Sequence, residues 1–364
     1  MHCKQLIVFW GCIILTIGVI EAQEADSITT KKNSFLPLPL ITRSIETDWS
    51  FGAVGVFTFP LSKKDNEART SNIEVVGLYS LKKQLVTGIN GNLYFPKEKY
   101  ILNFLTSYSS FPDKFWGIGN KTQDKGEKYA FEQYYIFGHL MRSLGNNLFV
   151  GGAIEFQHLM KIDYQPGGLF DIENITGRNG YKSAALAFSF THDNRNHAFT
   201  PNKGFFFQTF IYNYNKVFGS TFNFTALNID IRKYLQIIPR QILALQVLSL
   251  QNFGNDIPLR NLATLGGSGN MRGYYAGRFR DKSNLLMQAE YRIDIYKRLG
   301  CTFFGSLGNV GKNYNDVFSN TFKYAYGGGI RFALNKSERL NLRIDYGIGA
   351  KGNSGLYFQI GEAF

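Results

Sequence analysis

The residues in this sequence that could do chemistry are few, and they gather around one arginine. Arg272 sits in Leu265-Gly266-Gly267-Ser268-Gly269-Asn270-Met271-Arg272-Gly273-Tyr274-Tyr275, where four glycines permit tight turns and close backbone approach to a wall. An arginine in such a loop either meets water, as most surface charges do, or is drawn into an interior where it needs a carboxylate. Glu290 is available, since it alternates with Gln288 and Arg292 on the polar face of Leu285–Tyr296. Enzyme chemistry finds little support. Gly266-Gly267-Ser268-Gly269-Asn270 fails the nucleophile elbow at its fifth position. His139, His158, His192 and His197 have no metal-binding spacing, although the last two flank Asp193. The reading is no enzyme, with no catalytic, cofactor or metal residues.

A loop of this kind needs walls. From Leu285 to Ile295 the odd positions are Leu, Met, Ala, Tyr, Ile and Ile, opposite Gln288, Glu290, Arg292 and Asp294. Phe322, Tyr324, Tyr326, Ile330, Phe332 and Leu334 oppose Lys323, Gly327, Gly329 and Arg331, and Leu340–Ile348 alternates around Asn341, Arg343 and Asp345. Leu148–Met160 and Leu227–Arg232 follow the same period of two. An apolar face rich in Tyr and Phe opposite a charged face suits lipid outside and a wet lumen inside. A soluble sandwich also alternates, but its apolar faces pack on each other. The counts of 33 Phe, 21 Tyr and 38 Gly support the membrane version, as does a charged fraction of 18%, below the roughly 25% of soluble chains. The expected fold is all-β, a transmembrane antiparallel β-barrel of about 16 strands. Leu36–Arg43 is the best candidate for the first strand, its Pro37 and Pro39 being tolerated at a seam or edge. Short turns near Lys336, Arg240 and Lys297 would be periplasmic. Loops at 110–126, 162–179, 254–282 and 310–321 would be extracellular.

Ahead of the barrel, Lys4 and the stretch Leu6–Ile20 have the form of a signal peptide cut after Ala22; an N-terminal anchor is the alternative. Residues 1–22 are read as signal peptide, 23–33 as a short disordered periplasmic segment, and 34–364 as the barrel. Cys3 and Cys12 fall in the leader, leaving Cys301 without a disulfide partner. The net charge of +13 is scattered and forms no block. It is read as solvated loop and lumen charge, with lipopolysaccharide a possible anionic partner and nucleic acid excluded. In the last strand Leu356, Phe358, Ile360, Glu362 and Phe364 share one parity, on which Glu362 is out of character.

Four motifs carry a family resemblance. They are the loop triplet Arg272-Gly273-Tyr274, the strand Ala289-Glu290-Tyr291-Arg292, the strand Phe304-Gly305-Ser306-Leu307-Gly308, and the turn Asp193-Asn194-Arg195 followed by Pro201-Asn202-Lys203-Gly204. In this order they resemble the BamA/TamA superfamily of outer-membrane assembly and translocation barrels, which includes the bacterial surface antigen proteins. The resemblance implies a bacterial outer-membrane location, a long extracellular loop folded into the lumen with Arg272-Gly273-Tyr274 at its tip, and the short, barrel-only branch without POTRA domains. It implies that Phe364 serves as the C-terminal assembly signal read by barrel-assembly machinery. It further implies a clamp in which Arg272 pairs with Glu290, assisted by Ser306, with Tyr274 packing near Phe304. Ser306 stands where the family carries an aspartate, so a weaker clamp is expected. Asp193, Arg195, Pro201 and Gly204 have an ordinary reading too, as a braced tight turn. The implied function is help with insertion or translocation of client proteins. A passive pore or structural barrel is the alternative, and an outer-membrane lipid enzyme a third.

Overall fold

The computed structural model describes residues 33–62, 68–197, 200–335 and 340–364. The expected leader, nearly all of segment 23–33, and the turn near Lys336 lie outside the described residues. Sixteen strands close a barrel: β1 (Ser34–Ser44), β2 (Asp48–Phe59), β3 (Ser71–Ser80), β4 (Leu85–Tyr94), β5 (Tyr100–Phe115), β6 (Glu127–Gly145), β7 (Leu148–Tyr164), β8 (Tyr181–Asp193), β9 (Gly204–Tyr214), β10 (Phe224–Ile238), β11 (Gln241–Phe253), β14 (Ser283–Tyr296), β15 (Leu299–Gly311), β16 (Lys323–Asn335), β17 (Leu340–Gly349) and β18 (Ser354–Ile360). Two more, β12 (Ala263–Leu265) and β13 (Phe279–Asp281), form a small ribbon inside the β11–β14 connection. The pairing is antiparallel throughout, and β18 returns to β1. The stretch Leu36–Arg43 lies within β1, as expected of the first strand.

The wall is inside-out relative to a soluble protein. Met287, Phe303, Tyr324, Tyr326, Ile330, Ile344 and Tyr346 point outward and are exposed, while Glu290, Asp345, Arg343 and Asp230 point inward and are buried. Such an outer face suits hydrocarbon, and closing the sheet leaves no unpaired edge except where the ladder fails. The tightest turns lie at one rim. The Asn146-Asn147 turn has φ of 50° and 62°, the left-handed pair that a tight hairpin demands, and Arg240 and Lys297 sit in similar turns at φ 68° and 47°. The long connections 116–126, 165–180, 254–282 and 312–322 leave from the opposite rim.

The height of the wall varies around the barrel. Strands β5, β6 and β7 have 16, 19 and 17 residues, whereas β18 has 7. At about 3.3 Å per residue, β18 spans little more than a third of the length of β6.

Candidate functional site

The 254–282 connection does not stay at the rim. Ile257, Leu259, Leu262 and Ala263 are buried in one apolar cluster with Leu105, Phe131 and Tyr181 of the inner wall, and Leu265, Met271, Tyr274 and Phe279 pack with Leu286 and Val310. The glycines permit this course. Gly266 and Gly267 have φ near +105°, and Gly273 has +113°, a region closed to most side chains. A Cβ on Gly273 would come 2.8 Å from the Ile348 carbonyl carbon, and one on Gly347 would come 2.6 Å from that of Arg272. The loop tip therefore lies flat on β17, backbone against backbone.

Arg272 is 2% exposed. One guanidinium nitrogen pairs with Glu290 and another with Asp345 at 2.5 Å, while its central carbon lies over the Phe304 ring, 3.6 Å from the ring centre. A guanidinium bridging two carboxylates over an aromatic face is a well-matched burial of this ion, whose fork fits carboxylates and whose plane stacks on rings. The cluster extends sideways. Arg292 holds Glu290 at 2.7 Å, Arg331 holds Asp345 at 2.5 Å and Glu362 at 2.8 Å, and Arg343 holds Asp345 at 3.3 Å. Side chains from the loop, β14, β16, β17 and the residues after β18 thus form one network. Gly327 and Gly329 make room for it, since a Cβ on either would strike the Phe304 ring or the Asp345 carboxylate.

The loop tip also spans the place where the barrel closes. The Gly273 N–H donates to the Tyr357 hydroxyl on β18 at 3.0 Å, and the Ala276 N–H donates to Glu46, in the β1–β2 turn, at 2.7 Å. The pairing beneath this clasp is slight. β1 and β18 share one register pair, Arg43 with Phe358. By contrast β1 pairs with β2 along all of Ser34–Ser44, and β17 with β18 along Leu342–Ile348. On the outer surface the Trp49 and Phe358 rings meet across the seam at 5.8 Å.

A barrel of this topology with an arginine-tipped loop inside it has a sequence counterpart: the Omp85 superfamily domain matches residues 57–364. The chain belongs to the Omp85 superfamily. Solved structures similar to it include BamA from Haemophilus ducreyi lacking POTRA domains 1–3, at 13% identity and TM-score 0.61, covering 92% of this chain and 70% of that one. CdiB from Acinetobacter baumannii follows at 12% identity and TM-score 0.59, covering 92% and 60%. CdiB from Escherichia coli has 10% identity and TM-score 0.64, covering 93% and 63%. At these identities the likeness is one of fold, and this chain spans less than two thirds of the length of either CdiB structure. No curated protein matches.

Within this Omp85 domain the expected site residues fall as follows. Arg272, Glu290 and Phe304 come together. Ser306 does not join them: its hydroxyl donates to the Ala325 carbonyl at 3.3 Å, and the second carboxylate on Arg272 comes from Asp345. A hydroxyl cannot neutralise a buried guanidinium, and Asp345, reaching from β17 through the gap left by Gly329, can. Tyr274 packs edge-on against Phe279 at 5.3 Å, and its hydroxyl donates to the Tyr324 carbonyl while accepting from the Ala350 N–H. The face of Phe304 is taken by Arg272 instead. Asp345, Arg331 and Arg343 stood on the charged parity of their strands, but nothing in the sequence said that they converge on Arg272.

Glu362 and Phe364 differ from the strand reading as well. Gly361 has φ of +86° and ends the alternation, so Glu362 turns inward to Arg331 and to the Asn341 side chain at 2.7 Å. Phe364 is buried against Tyr234 and Ala244, with its carbonyl accepting from Arg292 at 2.9 Å. The turn motif lies on other strands. Asp193 and Arg195 form a bidentate pair at 2.7 and 2.8 Å, and the Arg195 guanidinium lies 4.4 Å from the Phe206 ring centre. Gly204, at φ +118°, passes so close to Asn194 that a Cβ would sit 2.6 Å from its carbonyl oxygen. Pro201 is buried in the same turn.

Proposed function

We propose that this Omp85 barrel sits in a bacterial outer membrane and aids insertion or translocation of proteins there, without enzymatic chemistry of its own. The observation that carries this reading is the single register pair at the β1–β18 seam. A closed sheet in hydrocarbon loses several kcal/mol for each backbone group left unpaired, so a seam this short is a place where the wall opens at little cost. The neighbouring wall is at its lowest there, and the lumen loop bridges both sides. Opening the seam exposes strand edges to an extended client segment, and Arg272 with its partners fixes the loop that controls that opening. BamA-type relatives suggest client proteins and, during biogenesis, barrel-assembly machinery as partners; the apolar belt and exposed loops fit an outer leaflet containing lipopolysaccharide.

Locking the seam tests the reading. With Cys301→Ser removing the native thiol, an Arg43→Cys/Phe358→Cys disulfide should abolish rescue of a deletion strain's outer-membrane protein profile, and reduction should restore it. An outer-membrane proteome unchanged by deletion counts decisively against the role. The alternative, a passive pore, requires a steady open conductance in planar bilayers, and the filled lumen weighs against it.

A further inference from the structure

Pro37 and Pro39 stand where the seam ought to be longest. β1 keeps register with β2 straight through both of them, Pro37 facing Gly55 and Pro39 facing Ala53. A proline has no N–H to give to a ladder. The β1–β2 ladder survives only if both prolines turn their backbone nitrogen away from β2, and residues two apart in a strand turn the same way. The seam edge of β1 therefore consists of Phe35, Pro37, Pro39, Ile41 and Arg43. Arg43, which is in register with Phe358 of β18, shares the parity of the two prolines. The edge offers carbonyl oxygens at every position, but no N–H at Pro37 or Pro39.

The same fact explains where β18 stops. Extending the Arg43–Phe358 register sets Glu362 opposite Pro39 and Phe364 opposite Pro37. Continued along β1, the carbonyls of Glu362 and Phe364 would find no donor in a medium without water. Instead the chain leaves the wall at Gly361, and the Phe364 carbonyl takes its hydrogen bond from Arg292 inside the lumen. From these observations we infer that β1 is a deliberately donor-poor edge. It accepts a transient extended strand that supplies its own N–H groups, and it denies that strand the reciprocal bonds that would complete a stable ladder. Edge prolines of this kind are a general means of keeping an open strand from permanent pairing. The inference rests on the seam reading above and sharpens it: the partner is a passing β-strand, held long enough to be ordered and then released.

The test uses the full chain in lipid vesicles. The probe is a synthetic peptide of this chain's own residues 354–364 carrying a photoreactive group. The peptide is expected to label β1. From a Pro37→Val/Pro39→Val barrel it should dissociate about tenfold more slowly or more, because two hydrogen bonds are restored. Folding of that variant is checked by its mobility shift on unheated gels, with each single substitution giving an intermediate rate. A second arm needs no barrel variant: methylating the peptide amides at Glu362 and Phe364 should remove the labelling of the unsubstituted barrel. Labelling of β1 with equal release from both barrels overturns the donor-poor edge and leaves the seam reading standing. Labelling confined to strands other than β1 overturns the seam reading itself.

Discussion

The barrel fills its lumen by two different means. On the side of β1 to β10 the inner wall carries Val54, Val56, Val76, Leu78 and Val86 and then a run of rings, with Phe210, Tyr212, Tyr214 and Phe224 stacked at 5.4, 6.0 and 4.1 Å between successive centres. On the side of β14 to β18 the loop's Arg272 joins Arg292, Arg331 and Arg343 against Glu290, Asp345 and Glu362. Apolar packing is divisible, each contact contributing a little whatever its neighbours do. A buried ion network is not, because each charge relies on its opposites and losing one strands the rest. The start of the loop packs into the divisible side through Ile257, Leu259 and Leu262, whereas its tip is anchored to the indivisible side by Arg272. The tip should therefore be either seated or released, with little between.

The largest effect that would break this contrast is at Arg272. Arg272→Ala leaves Glu290 and Asp345 short of a cation and should cost about 3–5 kcal/mol. It should also free the loop, read as protease cleavage within residues 266–277 in vesicles and as raised conductance. An unaltered cleavage pattern would mean that the network does not hold the loop. On the apolar side, Phe210→Ala should cost about 3 kcal/mol in denaturant unfolding, while loop protection stays as it was; coupled loss of both would show that the two sides act as one.

Smaller changes sharpen the comparison. A Cβ at Gly329 would come 2.0 Å from an Asp345 carboxylate oxygen, so Gly329→Ala should cost about 1–3 kcal/mol and partly release the loop. Gly305→Ala, with nothing within 4 Å, should be neutral on both readouts. The smallest effect is one of pH. Burial pushes the Glu46 carboxyl above its ordinary range despite the Ala276 N–H bond, which favours the ionised form, so the folded turn is more stable with Glu46 protonated. That contribution is complete at acid pH and is lost as pH rises through the Glu46 ionisation. As pH rises through the Glu46 ionisation, protection of the Ala276 amide, corrected for intrinsic exchange, should fall in the native chain and stay level in Glu46→Gln. A slope retained in Glu46→Gln would assign the pH response to another group.

The barrel was legible in the sequence because alternation is a local signal: the parity of Glu290, Arg331, Arg343 and Asp345 follows from their own strands, while Leu36–Arg43 follows from the even number of strands that a barrel with both ends on one side needs. Which of those charges meet was not legible. Asp345 reaches Arg272 because of the stagger of β14 to β17, set by closure of the whole sheet, and because glycines on β16 leave a gap. Ser306 drew attention as a lost carboxylate, yet the compensation sits two strands away, where no local pattern links it to the loop. Glu362 was out of place on its strand only while the strand was assumed to continue. One residue at positive φ, Gly361, reverses its side, and backbone angle at a glycine is decided by the surroundings rather than by the glycine.

The inward tail bears on timing. Phe364 retains only 6% of its surface in contact with solvent, shut in by Tyr234, Ala244 and Arg292. Any partner that recognises this ring meets it on the nascent chain and loses sight of it once the cylinder has formed. Maturation would then erase its own address label, and a finished molecule could not be mistaken for one still awaiting assembly.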